Sequence, residues 1–148
     1  MYNSKISGLG MYVPENVVTN HDLSEMMDTS NEWIIERTGI EERRHIKKGD
    51  GNSTVTMGVK ASKIAIERAG IDKNDIDLIL FATLSPDYYF PGSGVLAQEQ
   101  LGIPTCPAMD IRNQCSGFVY AISTADQFIK TGMYKNILVI GSENHSGG

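Results

Sequence analysis

Two nearly unbroken apolar runs restrict this chain more than any other feature. They are Ile76-Asp77-Leu78-Ile79-Leu80-Phe81-Ala82-Thr83 and Ile137-Leu138-Val139-Ile140. Each reads as a strand covered on both faces, the condition of strands in α/β sheets. Pro107-Ala108-Met109-Asp110-Ile111 reads as a shorter buried strand, and Lys5 to Leu9 as a strand that opens the chain. Helical periodicities fill the intervals. The order is strand, two helices, long helix, strand, helix, strand, helix, strand. That alternation predicts an α/β layered fold with a mostly parallel central sheet flanked by helices. At 148 residues the chain is long enough for one domain with a real core, over 1–148.

The helices carry their own punctuation. Asn20 can cap one that runs to about Met27, with Leu23, Met26 and Met27 facing inward. Ser30 caps the next, with Glu32 in its first turn, and Gly39 stops it. Residues 41 to 53 read as a polar, solvated loop containing the basic run 43–48. Ser53 or Thr54 opens a long helix to about Ala69. Its stripe is Val55, Val59, Ser62, Ile66 and Ala69, and Gly58, Ala61 and Ala65 form a small-residue flank. Ser93 starts another helix through Val95, Leu96 and Leu101, closed by Gly102. The last predicted helix follows Cys115 and ends near Gly132. Phe118, Val119, Ile122, Ala125, Phe128 and Ile129 give it one apolar face.

Cys115 stands where a strand stops and that helix begins. A thiol there meets the unpaired N–H groups of the first turn and the positive end of the dipole. Both favour the thiolate, the nucleophilic form. Ser116 and Gly117 are small enough to let a substrate approach the sulfur. The plainer alternative is a buried cysteine acting as a small hydrophobe. In open parallel sheets, sites lie beyond the carboxyl ends of strands. Cys115 is at such an end, which favours the reactive reading.

Two further features could bind. Trp33 and Arg37 are four apart on one helix and share a face. An aromatic ring beside a guanidinium suits a nucleotide base and its phosphate; otherwise the pair is a cation–π contact that supports the helix. The loop Leu84-Ser85-Pro86-Asp87-Tyr88-Tyr89-Phe90-Pro91-Gly92 is unusually aromatic. Such a loop borders a site or a partner subunit, or folds back over its own core.

Several classes are disfavoured. A net charge of −5 argues against nucleic acid as a partner. No apolar run approaches the roughly 20 residues that span a bilayer, so no membrane association is expected. Met1-Tyr2-Asn3-Ser4-Lys5 lacks a signal-peptide core. Cys106 and Cys115 form neither a disulfide framework nor a metal pair by spacing, so no metal is expected and a reducing cytoplasm fits. Gly8-Leu9-Gly10 is no dinucleotide fingerprint, and there is no Walker motif. The segment from Glu143 to Gly148 follows a strand without closing the fold, which reads as part of a larger protein.

Taken together, several motifs in order resemble a known family. They are Thr29-Ser30-Asn31-Glu32-Trp33-Ile34 with Arg37-Thr38-Gly39-Ile40, Ala82-Thr83 through Phe90-Pro91, Cys115-Ser116-Gly117-Phe118-Val119-Tyr120-Ala121, and Ile140-Gly141-Ser142-Glu143. The chain resembles the N-terminal half of the β-ketoacyl-acyl-carrier-protein synthase III family, condensing enzymes of the thiolase superfamily. The resemblance implies a thiolase-like fold, a cytoplasmic homodimer, and an acyltransferase that starts fatty-acid synthesis. Cys115 would take an acyl group from acyl-coenzyme A, with its own N–H as an oxyanion donor. Malonyl-acyl-carrier protein would then lose carbon dioxide and attack the acyl-enzyme.

The resemblance also implies that Trp33 and Arg37 hold the coenzyme A adenine and that Thr29 is a neighbouring contact. Phe90 would reach across the dimer to shape the partner's acyl pocket. Acyl-coenzyme A is then a substrate, and no cofactor is implied. The family's histidine and asparagine come from its C-terminal half; His21, His45, His145, Asn113 and Asn144 do not stand at those positions. The fragment alone is therefore expected to be inactive. Asn113-Gln114 departs from the small residues expected in the commonest members and leaves acyl preference open. Two other readings stand beside this one: a related condensing enzyme or acyltransferase of secondary metabolism, and a non-catalytic dimerisation module with an inert Cys115.

Overall fold

The structure is a computed structural model and describes residues 2–103 and 105–146. The chain falls into two compact units. The larger comprises Met1–Tyr12 and Ser53–His145, and the smaller Val13–Asn52 with the last residues from Ser146.

The larger unit is built on a three-stranded parallel sheet. β3 (Leu78–Ala82) lies between β4 (Ala108–Ile111) and β5 (Ile137–Gly141). All five residues of β3 are buried. Their alternation sends Ile79 and Phe81 to one face and Leu78, Leu80 and Ala82 to the other. The first face packs with Val55 and Val59 of α3 (Thr54–Ala69) and Ala97 and Leu101 of α4 (Ser93–Leu101). The second packs with Ala121 and Ala125 of α5 (Gly117–Lys130). Each large side chain so buried contributes on the order of 1.5–3 kcal/mol. This is the predicted α/β layering with a parallel central sheet.

Asp77, the one charge in the first apolar run, has a specific use. Its carboxylate accepts from the N–H groups of Lys135 at 2.8 Å and Asn136 at 2.9 Å, fixing the start of β5. α3 begins as expected, with a capping box in which Ser53 Oγ accepts from Thr56 N at 3.2 Å and Thr56 Oγ1 accepts from Ser53 N at 2.7 Å. Gly70 and Gly102 end α3 and α4 in the left-handed conformation that glycine adopts without a side-chain clash.

The segment expected as an opening strand is not one. Lys5 to Leu9 forms no sheet ladder. It lies instead on the small-residue flank of α3. A Cβ at Gly8 would stand 2.2 Å from the Ala65 carbonyl oxygen, and one at Gly10 would stand 1.9 Å from that of Ala61. Backbone-to-backbone contact with a helix replaced strand pairing, and sequence alternation does not distinguish the two.

In the smaller unit, β1 (Val17–Thr19) and β2 (Glu42–Arg44) pair antiparallel, so the expected polar loop contains a strand. α1 (Asn20–Met26) starts one residue earlier than expected: Thr19 caps it and Asn20 is its buried first residue. Met26 and Met27 are exposed rather than inward. α2 (Asn31–Thr38) follows expectation. Ser30 Oγ accepts from Trp33 N at 3.1 Å, and Gly39 closes the helix with φ 69°. Parts of the basic run are engaged: Arg43 donates to Val18 O at 3.2 Å and Arg44 to Pro14 O at 3.3 Å.

Candidate functional site

Cys115 lies between the end of β4 and the start of α5, and its side chain is exposed. A sealed thiol is therefore not what the structure holds. The turn is closed by Gly117 N donating to Gln114 O at 3.0 Å and Tyr120 N donating to Ser116 O at 3.1 Å. Ser116 occupies the N-cap but makes no side-chain cap to the helix. Its hydroxyl donates to Asn113 Oδ1 at 3.2 Å instead. The first turn of α5 thus lacks a side-chain cap beside the sulfur.

Packing of the helix holds this turn in place. Ala121 is fully buried against β3, and Gly117 is buried beside Ala82 and Asn113, where an added Cβ would make ordinary 3.6 Å contacts. Phe118 lies over Gly141, where an added Cβ would come within 2.7 Å of its ring. The apolar face of α5 is only partly used: Phe118, Val119 and Ile122 remain substantially exposed. The other cysteine differs in kind. Cys106 is half-buried, its sulfur accepts from Gln98 Nε2 at 3.5 Å, and burial first, then the Asp77 charge, pushes its thiol pKa up.

The aromatic loop turns its tip to solvent rather than over its own core. Tyr89 is 88% and Phe90 90% exposed. Both sides of the tip are tied down by carboxylates that sequence reasoning did not single out. Asp87 accepts from Ser53 Oγ at 2.6 Å, Thr54 N at 2.9 Å and Val55 N at 3.0 Å, all at the start of α3. Glu143, just past β5, accepts from the N–H of Leu84 and from Ser85 Oγ at 3.0 Å. Asp110 accepts from Ser93 N and Gly94 N where the loop enters α4. None of these hydrogen bonds has a local sequence signal, because each donor is at least 16 residues away. Arg112 stacks on Tyr89, 4.9 Å from the ring centre. Beside that pair is a polar cavity of about 310 Å³ bordered by Asp110 and Arg112.

In the smaller unit, Arg37 lies 4.4 Å from the centre of the Trp33 ring. The Trp33 side is 52% exposed, and Arg37 also approaches Glu36 at 3.4 Å. Ile34 on the same helix is buried, so α2 is anchored from below and offers the aromatic–guanidinium pair outward. Thr29, half-buried, immediately precedes the cap of this helix. Among the described residues, no group of three or more His, Cys, Asp and Glu could hold a metal ion, and no helix is long and apolar enough to cross a membrane.

Comparison with known proteins extends these observations. A family model described as 3-oxoacyl-[acyl-carrier-protein (ACP)] synthase III matches residues 109–148, which include Cys115. A β-ketoacyl-[acyl-carrier-protein] synthase III of Aliivibrio fischeri is 58% identical over 140 residues, covering 95% of this chain and 44% of the relative. A synthase III of Bacillus anthracis is 54% identical over 144 residues, covering 97% of this chain and 46% of the relative. The crystal structure of a 3-oxoacyl-[acyl-carrier-protein] synthase III from Aquifex aeolicus superposes with TM-score 0.90 at 47% identity, over 94% of this chain and 44% of that one. A priming β-ketosynthase from the R1128 polyketide pathway also gives TM-score 0.90, at 32% identity, over 95% of this chain and 41% of that one. The chain spans less than half the length of these relatives. The fold is thiolase-like α/β, and the resemblance read from the sequence holds over nearly the whole chain.

Proposed function

We propose, from the correspondence with the N-terminal portion of β-ketoacyl-acyl-carrier-protein synthases III, that this chain supplies the nucleophile and the coenzyme A-binding face of such an acyltransferase. The observation that carries the reading is the exposed thiol of Cys115 beside the first turn of α5, which has no side-chain cap. A Cys115 thiolate attacks the carbonyl carbon of acyl-coenzyme A. The carbon–sulfur bond to coenzyme A breaks, and its thiolate leaves. Charge that develops on the carbonyl oxygen is stabilised by the Cys115 N–H. Malonyl-acyl-carrier protein then loses carbon dioxide, and the resulting carbanion attacks the acyl-cysteine. The product is a β-ketoacyl thioester, and the Cys115 thiolate is released.

Trp33 and Arg37 stack the adenine, with Thr29 as a neighbouring contact. Acyl-coenzyme A is consumed as substrate, with no separate cofactor. The exposed Tyr88–Phe90 tip supports a homodimer in which Phe90 shapes the partner's acyl pocket. The decarboxylation donors lie outside this stretch, and the cytoplasm is the compartment of the reaction. The test is incubation of the intact protein with acetyl- and longer acyl-coenzyme A. Gain of the acyl mass on Cys115, followed by its discharge with malonyl-acyl-carrier protein, is the expected result. Acylation that only another acceptor discharges would assign the chain to secondary metabolism. No acylation with any chain length, together with resistance to iodoacetamide, would return Cys115 to an inert part of a dimerisation module.

A further inference from the structure

We infer that Asn20, held by Arg43, is a positioning residue for the coenzyme A-binding face of α2: one buried amide ties both ends of that helix and so fixes where Trp33 and Arg37 stand. This rests on the reading of Trp33 and Arg37 as coenzyme A contacts.

Asn20 is 2% exposed, and its side chain is fully engaged. Nδ2 donates to Asn31 Oδ1 at 3.1 Å and to the Ile40 carbonyl at 2.8 Å. Asn31 is the first residue of α2, and Ile40 lies just beyond its Gly39 cap. The two N–H groups of a single amide therefore grip the beginning and the end of one helix. Oδ1 accepts from Arg43 Nη2 at 2.6 Å, and Arg43 Nη1 donates to Val18 O at 3.2 Å. The Asn20 backbone N–H donates to Glu41 O at 3.3 Å. The amide is thus held to the β1–β2 pair on one side and holds α2 on the other.

Only an amide meets this demand. It offers two donors and an acceptor from one short side chain, whereas a carboxylate offers acceptors alone. The helix needs such ties. At eight residues it is too short to be stable by its own hydrogen bonds. Its contribution to the buried core is the single side chain of Ile34. A small rotation would move the exposed Trp33 ring and the Arg37 guanidinium away from a shared ligand, and misplacement of a positioning group by about 1 Å is costly.

The experiment compares Trp33→Ala, Asn20→Asp and Asn31→Ala in the intact protein. Asn20→Asp keeps the acceptor for Arg43 and removes both donors to α2; Asn31→Ala removes the tie at one end only. Coenzyme A affinity is read by calorimetry, KM and kcat with acyl-coenzyme A, and folding by circular dichroism. Asn20→Asp is expected to weaken coenzyme A binding about tenfold, the scale of losing buried hydrogen bonds. KM should rise with it while kcat changes less than about twofold, a split that simple loss of folded protein does not give. If Trp33→Ala weakens binding but folded Asn20→Asp and Asn31→Ala bind as wild type does, the inference is overturned and the coenzyme A site stands. If Trp33→Ala itself binds normally, the site reading fails and the inference falls with it. Should Asn20→Asp not fold, Asn31→Ala decides: weaker binding supports the tie, and unchanged binding overturns it.

Discussion

The carboxylate of Asp110 accepts a hydrogen bond from the backbone N–H of Ser93 at 2.6 Å. Its other oxygen takes the N–H of Gly94 at 2.7 Å. Asp110 is in β4, five residues before Cys115, so the strand that leads to Cys115 also caps α4. Gly92 and Gly94 make room for it: a Cβ at either would stand about 3 Å from the carboxylate. Asp110→Ala leaves two buried N–H groups without that acceptor. It should lower the unfolding free energy by about 1–3 kcal/mol, read from urea melts. Asp110→Asn, which keeps one oxygen, should cost less.

The two cysteines should differ in reactivity. Cys115 is exposed, whereas Cys106 is half-buried with its thiol pKa pushed up. Iodoacetamide near pH 8 should label Cys115 first, as peptide mass spectrometry will show. Cys115→Ala should abolish acylation by acyl-coenzyme A while the urea midpoint stays close to that of the wild type. Collapse of the fold in this variant would mean that the thiol serves chiefly as packing.

Trp33→Ala should weaken coenzyme A by about 1–3 kcal/mol, the scale of a base stacked on an aromatic ring. Titration calorimetry measures it. Unchanged affinity would leave the Arg37 contact as support for α2.

Phe90 is 90% exposed on its own chain, so Phe90→Ala should cost the fold of the single chain little, within about 0.5 kcal/mol. Its effect should be on chain-length preference. The ratio of kcat/KM for short and long acyl-coenzyme A should shift in the intact protein, and an unchanged ratio would remove Phe90 from the acyl pocket.

The start of α1 should respond to acid. The Thr19 hydroxyl and backbone N–H, each 2.7 Å from Asp22 Oδ2, hold the Asp22 carboxyl below its usual range. A depressed folded pKa stabilises above the unfolded value, about 3.9, and the contribution fades as pH falls through the folded value. Asp22→Asn should therefore flatten the acid limb of stability, followed by urea melts from about pH 6 to about pH 2.5. A limb as steep as that of the wild type would contradict the assignment.

What the sequence made legible follows from range. The apolar run around β3 needs two covering layers wherever it lies, and it has them. Ser30, Ser53, Gly39 and Gly102 punctuate helices through contacts within a few residues, and each was readable. The place of Cys115 at a strand end was readable from the order of elements, whereas its exposure came from the structure. The loop-fixing hydrogen bonds of Asp87, Glu143 and Asp110 were not, because their donors are remote in sequence. The pairing of Val17–Thr19 with Glu42–Arg44 was missed because a basic, polar stretch hides a strand whose arginines bond to carbonyls and to Asn20. The Gly8 and Gly10 contacts show the opposite error, in which extended chain was read as strand although its neighbour is a helix.

The loop from Leu84 to Gly92 has a polar root and an apolar crest, and the two answer to different demands. The root is bolted to α3, β4 and the end of β5, whereas the crest is mostly exposed and touches this chain through the Arg112–Tyr89 stack. Residues 88–90 can therefore be rewritten with little penalty to folding. A library randomised at those three sites would test, on a constant frame, whether this short crest takes part in substrate choice.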